Sequence, residues 1–298
     1  MTMHARILSQ NDYPAYDAFL EPYTAEAYFL RSNARMAGLD WHGQNFQGQY
    51  IGVFKGDTLT AVLSYTWINT INACAPDPSC LQQALPLLRD LIKARGGALK
   101  GFAMLKPEAD ILIPALNIPS SAFCLDKQEG FYVLDLTNWI PPYKAEGSLQ
   151  ARLALPKDRE ILIPWRVIFN IEQLGETDSE ALLVRVTEEI DRRTKASELY
   201  VFEDKESGEL FSFYGIMGAI PTHLHIGPVF TIHHQRGKGY ARLLLSETIA
   251  KLKSERAGVL NTIGLFAADA PAIKVYESLG FKKVNDYQLT LCHDDFRF

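Results

Sequence analysis

Long apolar runs are missing from this chain. No stretch reaches membrane-spanning length, so no transmembrane helix is expected. Cysteine is scarce: Cys74, Cys80, Cys124 and Cys292 are scattered through 298 residues without metal-ligand spacing. No metal site is expected from them, and isolated thiols of a reducing compartment are favoured over a Cys74–Cys80 pair. Positive charge is not in excess either. Thirty Lys and Arg face 35 Asp and Glu, a formal net charge of −5, which argues against a nucleic-acid-binding surface. No apolar signal core follows Met1–Arg6, so a cytoplasmic protein with neither membrane nor nucleic-acid partner is expected. What remains is ordinary globular composition, and the length suits two α/β domains better than one.

Against this background the segment Thr231-Ile-His-His-Gln-Arg-Gly-Lys-Gly-Tyr-Ala-Arg242 is distinctive. It lies between an apolar run, 225–230, that reads as a strand and a stretch, 240–251, that reads as an amphipathic helix. A glycine turn there leaves N–H groups free at a helix N-terminus. With the positive end of the helix dipole, they hold an anion such as pyrophosphate. Gly237 and Gly239 allow close approach and positive φ, and Arg236 and Lys238 add charge. The same pattern also serves as a plain tight turn. It is not a P-loop, because Gly237-Lys-Gly-Tyr-Ala241 lacks the Gly-Lys-Ser/Thr ending. Nor is it the dinucleotide fingerprint, because the third glycine and the later acidic residue are missing.

Residues 261–267 read as another strand. Asp269 suits a helix N-cap, Pro271 the first turn and Gly280 the stop, and 283–292 alternates as a closing strand. The order strand, Gln235-Arg-Gly-Lys-Gly-Tyr-Ala241, helix, strand, Asp269-x-x-Ala-Ile-x-x-Tyr-Glu-x-x-Gly-Phe281, strand resembles the GNAT superfamily of acyl-CoA-dependent N-acetyltransferases. In that family the first motif, Gln/Arg-x-x-Gly-x-Gly/Ala, holds the pyrophosphate of coenzyme A. Arg236, Gly239 and Ala241 match its fixed positions, and Gln235, Gly237, Lys238 and Tyr240 fill the loop. Of the second motif, Ala272, Tyr276, Glu277, Gly280 and Phe281 are present, with Asp269 where Asn is usual. The resemblance covers residues 150–292.

The resemblance implies an α/β fold with a mixed sheet, acetyl-CoA as co-substrate, and direct acetyl transfer to a primary amine. It implies that the pantetheine arm pairs with the main chain of Val229, Phe230 and Thr231, where the strand splays and opens a slot beside 261–266. Asp269 and Ala272 join the cofactor contacts. Tyr276 matches the general acid that protonates the coenzyme A sulfur; the plainer reading is a packed aromatic on a helix face. A general base is not marked by any motif. His223 and His225 alternate on the incoming strand, face one side and titrate in the useful range. His225 is taken as the candidate, although such histidines are more often surface or satisfied positions. Glu203 and Asp204 read as solvated turn residues, and His233 and His234 as loop residues near the phosphates. Trp165 reads as core, on the helix that with Phe169 and Glu172 walls the acceptor pocket in this family.

The segment 138–148, with two prolines and Gly-Ser, reads as the boundary between domains 1–142 and 143–298. The first half reads as a paler copy of the second, giving two GNAT-like domains in tandem. Between a strand ending near Trp67 and a helix starting near Cys80, Pro76 and Pro78 remove N–H donors and Asp77 repels phosphate. The first half is therefore expected to be a degenerate GNAT-like domain without cofactor; an unrelated α/β domain is the alternative. The acceptor is expected to be a small-molecule or peptide amine, with the oligomeric state unread. The competing functions are an aminoacyl-transferase of the tandem type, a non-catalytic acyl-CoA-binding regulator and a structural interaction module.

Overall fold

The computed structural model describes residues 2–293 and 296–298. Contacts divide the chain into two compact units, 1–131 with 284–298 and 132–283. The elements of the first part are β1 (Met3–Ile7), α1 (Tyr13–Leu20), α2 (Tyr28–Ala37), β2 (Gly48–Lys55), β3 (Thr58–Thr66) and β4 (Thr70–Cys74). They continue with α3 (Leu85–Ala94), β5 (Gly101–Leu105), α4 (Lys106–Leu116) and β6 (Phe123–Asp135). The second part holds β7 (Leu149–Leu153), α5 (Arg159–Leu174), α6 (Glu180–Lys195), β8 (Leu199–Asp204), β9 (Leu210–Ile220) and β10 (His223–Thr231). It closes with α7 (Tyr240–Glu255), β11 (Thr262–Ala267), α8 (Ala270–Ser278) and β12 (Lys282–Cys292). Among the described residues no helix is long and apolar enough to cross a membrane, and the four cysteines are free thiols.

Within unit 1 the strands run in the order β1-β2-β3-β4-β5-β12-β6, all antiparallel from β1 to β4 and parallel between β4 and β5. Alternation sends successive side chains of β2 to opposite faces. Ile51 and Val53 pack with Leu88, Ile92 and Leu112 of α3 and α4. Tyr50 and Phe54 pack with Tyr16, Leu20 and Leu30 of α1 and α2. The last residues of the chain complete this unit. Tyr287–Leu291 of β12 lie antiparallel to Gly101–Leu105, and the Phe298 N–H donates to Gly97 O at 2.8 Å.

Unit 2 repeats the layering, with strand order from the end of β6 through β11, β10, β9 and β8 to β7. Val201 and Phe213 meet Leu162, Trp165, Val186 and Ile190 of α5 and α6 on one face. Tyr200, Phe202 and Tyr214 meet Leu244, Ile249 and Tyr276 of α7 and α8 on the other. Local signals fix the helix ends. Ser179 Oγ accepts from Leu182 N at 3.2 Å to cap α6, and Gly175 (φ +65°) and Gly280 (φ +97°) stop α5 and α8 in conformations other residues avoid.

Three strands depart from the sequence reading. β4 had read as loop, because five residues with two buried faces carry no alternation. β7 (Leu-Gln-Ala-Arg-Leu) has helix-favouring residues whose propensity is overridden by pairing with β8. β1 was not foreseen at all. Glu203 is likewise not a solvated turn residue: it lies in β8, 4% exposed, hydrogen-bonded to Gln150 and ion-paired with Arg152, which also holds Asp158. This pairing keeps the Glu203 carboxyl below its usual range.

The segment 138–148 is no free linker. It is tied along α7 through Tyr143 N to Ser246 Oγ, Ala145 N to Glu247 Oε1 and Lys253 Nζ to Trp139 O. Trp139 Nε1 donates to Leu279 O at 2.7 Å, at the end of α8.

Candidate cofactor and active site

In unit 2 the two edges of β10 behave differently. Along β9 its pairing runs to Thr231↔Ser212, with register shifts between His225 and Ile226 and between Ile226 and Val229. Along β11 the parallel register holds only at His223↔Thr262, Leu224↔Ile263 and His225↔Gly264. The bulge re-aims β10, as bulges do, and the strands part beyond it. Val229, Phe230 and Thr231 thus keep a β9 partner on one side and have no ladder partner on β11 on the other. An extended, amide-bearing arm can add to such an edge as a strand would. The Phe230 carbonyl accepts from Ser212 Oγ of β9 at 2.7 Å, and the Thr231 carbonyl from Arg236 Nε at 3.0 Å, so the two residues are held from β9 and from the following loop.

The chain then passes through His233–Gln235, one short turn, into Gly237 (φ +80°) and Gly239 (φ +84°), and α7 starts at Tyr240. No side chain caps α7, so its first N–H groups, including those of Tyr240 and Ala241, face outward at the positive end of the helix. A Cβ on Gly237 would meet nothing within 4 Å, whereas one on Gly239 would sit 2.9 Å from the Arg242 side chain. The loop's cations are not simply free charges. Arg236 reaches Glu172 on α5 (3.3 Å), which also takes His233 Nε2 (2.8 Å). Lys238 Nζ donates to Gln235 Oε1 (2.6 Å), and the Gln235 amide donates to Glu209 (2.9 Å). These contacts fix the loop's shape. Glu209 had no sequence signal, since it lies in a polar turn. The Tyr240 ring stacks on Phe211 at 4.4 Å, so its contribution to an anion site is its main chain.

α8 follows β11 directly. Asp269 caps it, its carboxylate accepting from Ala272 N at 3.4 Å, which places both expected cofactor residues at one helix start. Tyr276 lies further along α8, 6% exposed, edge-on to Phe281 at 6.0 Å. It therefore satisfies the packing reading, and its helix borders the parted strand β11.

His225 does not suit the role of general base. Its side chain is wholly buried, 4.4 Å from Phe266, and burial drives its pKa well below the usual value. A neutral imidazole with no surface cannot reach an acceptor amine. His223, equally buried, bonds to Thr262 Oγ1 at 2.8 Å. The glycine opposite is the sequence sign of this packing. A Cβ on Gly264 would come within 3.0–3.1 Å of both imidazoles. Trp165 is core, beside Phe213 and Phe230.

Unit 1 also has a parallel strand pair that parts. β4 and β5 pair only at Thr70↔Gly101 and Ile71↔Phe102. Past that point Asn72 Nδ2 donates to Ala103 O (2.8 Å), and the Ala75 N–H donates to Glu108 of α4 (3.2 Å). The turn after β4 begins at Asp77, whose carboxylate accepts from Ser79 N (3.1 Å) and Ser79 Oγ (2.6 Å).

Residues 165–281, within unit 2, match the model of the acetyltransferase (GNAT) family. Solved structures share the fold of nearly the whole chain. A GCN5-related N-acetyltransferase from Sphaerobacter thermophilus gives a TM-score of 0.60 at 16% identity, over 97% of this chain and 95% of that one. A tandem GNAT protein from the clavulanic acid biosynthesis pathway gives 0.55 at 13% identity, over 97% and 98%. An acetyltransferase of the GNAT family from Colwellia psychrerythraea gives 0.51 at 13% identity, over 98% and 100%. A search among curated proteins found no match. The architecture is thus two GNAT-like units in tandem, and family and fold support an acyltransferase.

Proposed function

We propose that unit 2 binds acetyl-CoA and transfers its acetyl group directly to the primary amine of a small-molecule or peptide acceptor. The observation that carries this reading is the parting of β10 and β11 just past His225↔Gly264, with an uncapped helix N-terminus one turn away. Pantetheine would add along Val229–Thr231. The pyrophosphate would rest on the N–H groups of the 237–241 loop, where a preset dipole stabilises it without rearrangement. Tyr276 would protonate the departing thiolate, and α5 with Glu172 would wall the acceptor. The acid need only act as the C–S bond breaks; the amine must arrive neutral. Unit 1 supplies no second cofactor site in this reading. The free thiols support a cytoplasmic setting.

Two variants test it. Gly237→Asp with Gly239→Asp sets two carboxylates against the pyrophosphate. Because a Cβ on Gly237 meets nothing and one on Gly239 meets only a flexible arginine, the protein should keep its fold at some cost in backbone strain. Acetyl-CoA affinity by calorimetry should fall on the order of 100-fold. Equal binding by a folded double variant would remove the loop from the cofactor site. Tyr276→Phe should retain acetyl-CoA binding while turnover over a library of primary amines drops about 100-fold or more. Unchanged turnover would leave Tyr276 as a packing residue, and no turnover by the native protein despite tight binding would favour an acyl-CoA-binding regulator.

A further inference from the structure

Unit 2 buries a charged side chain that acetyl transfer itself does not use. Arg193, near the end of α6, is 8% exposed. Its Nε lies 2.9 Å from Glu189 Oε1, one turn earlier, and Glu189 Oε2 lies 3.1 Å from Arg166 Nη2 on α5. Its Nη1 crosses to the sheet and donates to Ile216 O on β9 at 2.5 Å. It does so where β8 gives out. The Ile216 N–H donates to Glu198 O at 2.7 Å, but the Glu198 N–H turns back to Arg193 O at 2.9 Å. In an antiparallel ladder both polar groups of a residue point toward the same neighbour. The Ile216 carbonyl, facing the side that β8 has left, takes the guanidinium as its donor instead. A buried carbonyl without such a donor is costly.

Ile216 stands at the bulge. It is the residue opposite Ile226, and the register of β10 shifts on either side of that pair. The neighbouring Gly215 measures how near the arginine comes: a Cβ there would lie 3.0 Å from Arg193 Nη1 and 3.2 Å from Gly227 O of β10. Soon after Gly227 begins the run Val229–Thr231, with β9 on one side and no ladder partner on β11 on the other. A buried ion pair is a weak source of stability, because desolvation offsets most of its attraction, and its best-attested use is to fix register. Here one Glu189 serves two arginines, and among the described residues Arg166 Nε and Nη1 have no hydrogen-bond partner. An apolar side chain would fill the same space, but it would not hold one carbonyl from a fixed direction.

We propose that Arg193 is a positioning residue: with Glu189 behind it, its hold on Ile216 O fixes the bulge of β10 and so the width of the slot for the pantetheine arm. This role rests on the cofactor reading of unit 2 and adds to it a residue outside the glycine loop and both motifs. No sequence signal marks Arg193, since it ends α6 beside Arg192 and Lys195, where cations commonly complement the helix dipole. Without its bond, β9 and β10 are free to slip past the bulge, and only a fraction of the molecules keeps the slot open. The affinity for a ligand that fills the slot then falls by that fraction. Groups held by the 237–241 loop alone are unaffected.

Arg193→Met removes the donor, keeps the apolar length and leaves Glu189 paired with Arg166. Two ligands separate slot from loop: coenzyme A, and 3′-phosphoadenosine 5′-diphosphate, which carries the pyrophosphate without the pantetheine arm. By calorimetry on the full-length protein, the variant should bind coenzyme A about tenfold more weakly and the fragment within about twofold of native. Gly215→Ala, whose Cβ crowds Nη1 and Gly227 O, should give the same pattern. Combining the two should cost no more than either alone, because both act on one contact. Amide exchange reads the bulge without a ligand. In both variants the peptide 226–231 should exchange about tenfold faster, while 244–252 of α7 keeps its rate. Equal losses for coenzyme A and the fragment, or equal acceleration of both peptides, make Arg193 a general support of the fold and overturn the proposal. So does unchanged coenzyme A binding by either folded variant, or unchanged exchange at 226–231. A native protein that binds neither compound removes the cofactor reading and the ligand of the slot with it, and the exchange alone then decides the hold of Arg193 on the bulge.

Discussion

Cutting the chain between residues 142 and 143 is expected to leave two pieces that do not fold. Residues 1–142 lack β12, the strand against which β5 pairs through Tyr287–Leu291. They also lose Cys292, wholly buried in the core under α3 and α4, and the bonds from Cys292 N to Lys100 O and Phe298 N to Gly97 O. Residues 143–298 lose the end of β6 and the residue after it, whose Tyr132, Leu134 and Leu136 lie buried in the core with α7 and α8. They lose Trp139 at the end of α8 as well. Three such side chains are worth about 1.5–3 kcal/mol each, a sum comparable to the whole stability of a domain, about 5–15 kcal/mol. Residues 132–283, by contrast, hold a complete unit and should fold. Near-ultraviolet circular dichroism and chemical-shift dispersion decide the matter: a cooperative melt from 1–142 alone would show that β12 is dispensable. The same pairing can be probed with one methyl group. A Cβ on Gly101 (φ +145°) would lie 2.0 Å from Thr290 O and 2.9 Å from Leu291 Cα, both main-chain atoms that cannot turn aside. Gly101→Ala should therefore destabilise unit 1 by about 3 kcal/mol or more, where Ala for Gly in an unstrained strand would help.

The fold was legible where local chemistry speaks for itself. Asp269, Pro271 and Gly280 bound α8 as their residue types dictate, and the glycines of the 237–239 loop take the positive φ that such a turn requires. The split of β10 from β11 was implied by family resemblance, and its local cause is the bulge between His225 and Val229. Long-range pairing was not legible. Nothing local in 284–292 tells that this strand lies against Gly101–Leu105, and the prolines of 138–148 signal a break whether the segment is loose or pinned to α7. Burial of charge was misread for the same reason. Glu203 stands beside Asp204 and a polar turn, and only the distant Arg152 explains why it is inside. His225 was equally opaque, since alternation gives the face of a strand and not what covers it.

The two units are expected to respond to pH in opposite directions. In unit 1 burial lifts Glu108 from its ordinary 4.5 to about 7. The folded state then holds a proton that the unfolded chain releases above pH 4.5. Its stability is fully present below that pH and falls as pH rises toward 7, by about 2 kcal/mol between pH 5.5 and 8. In unit 2 burial lowers His223 to about 3 and His225 well below its usual 6.5. There the unfolded chain gains protons that the folded state refuses. Stability is fully present above pH 6.5 and falls below it, by about 1.4 kcal/mol for each histidine at pH 5.5. The other carboxyls with resolved shifts are held down by hydrogen bonds and arginines, Asp12, Asp158, Glu189 and Glu203 among them, and titrate below this window. Cys74, pushed up to about 12, titrates above it. Brief proteolysis under partly denaturing conditions, with fragments identified by mass spectrometry, reads which unit opens first. Unit 2 should be cut first at pH 5.5 and unit 1 first at pH 8, and Glu108→Gln should abolish the alkaline weakness of unit 1 while leaving the acid weakness of unit 2. If the same unit opens first at both pH values in the native protein and the variant, neither buried group controls stability as its surroundings imply.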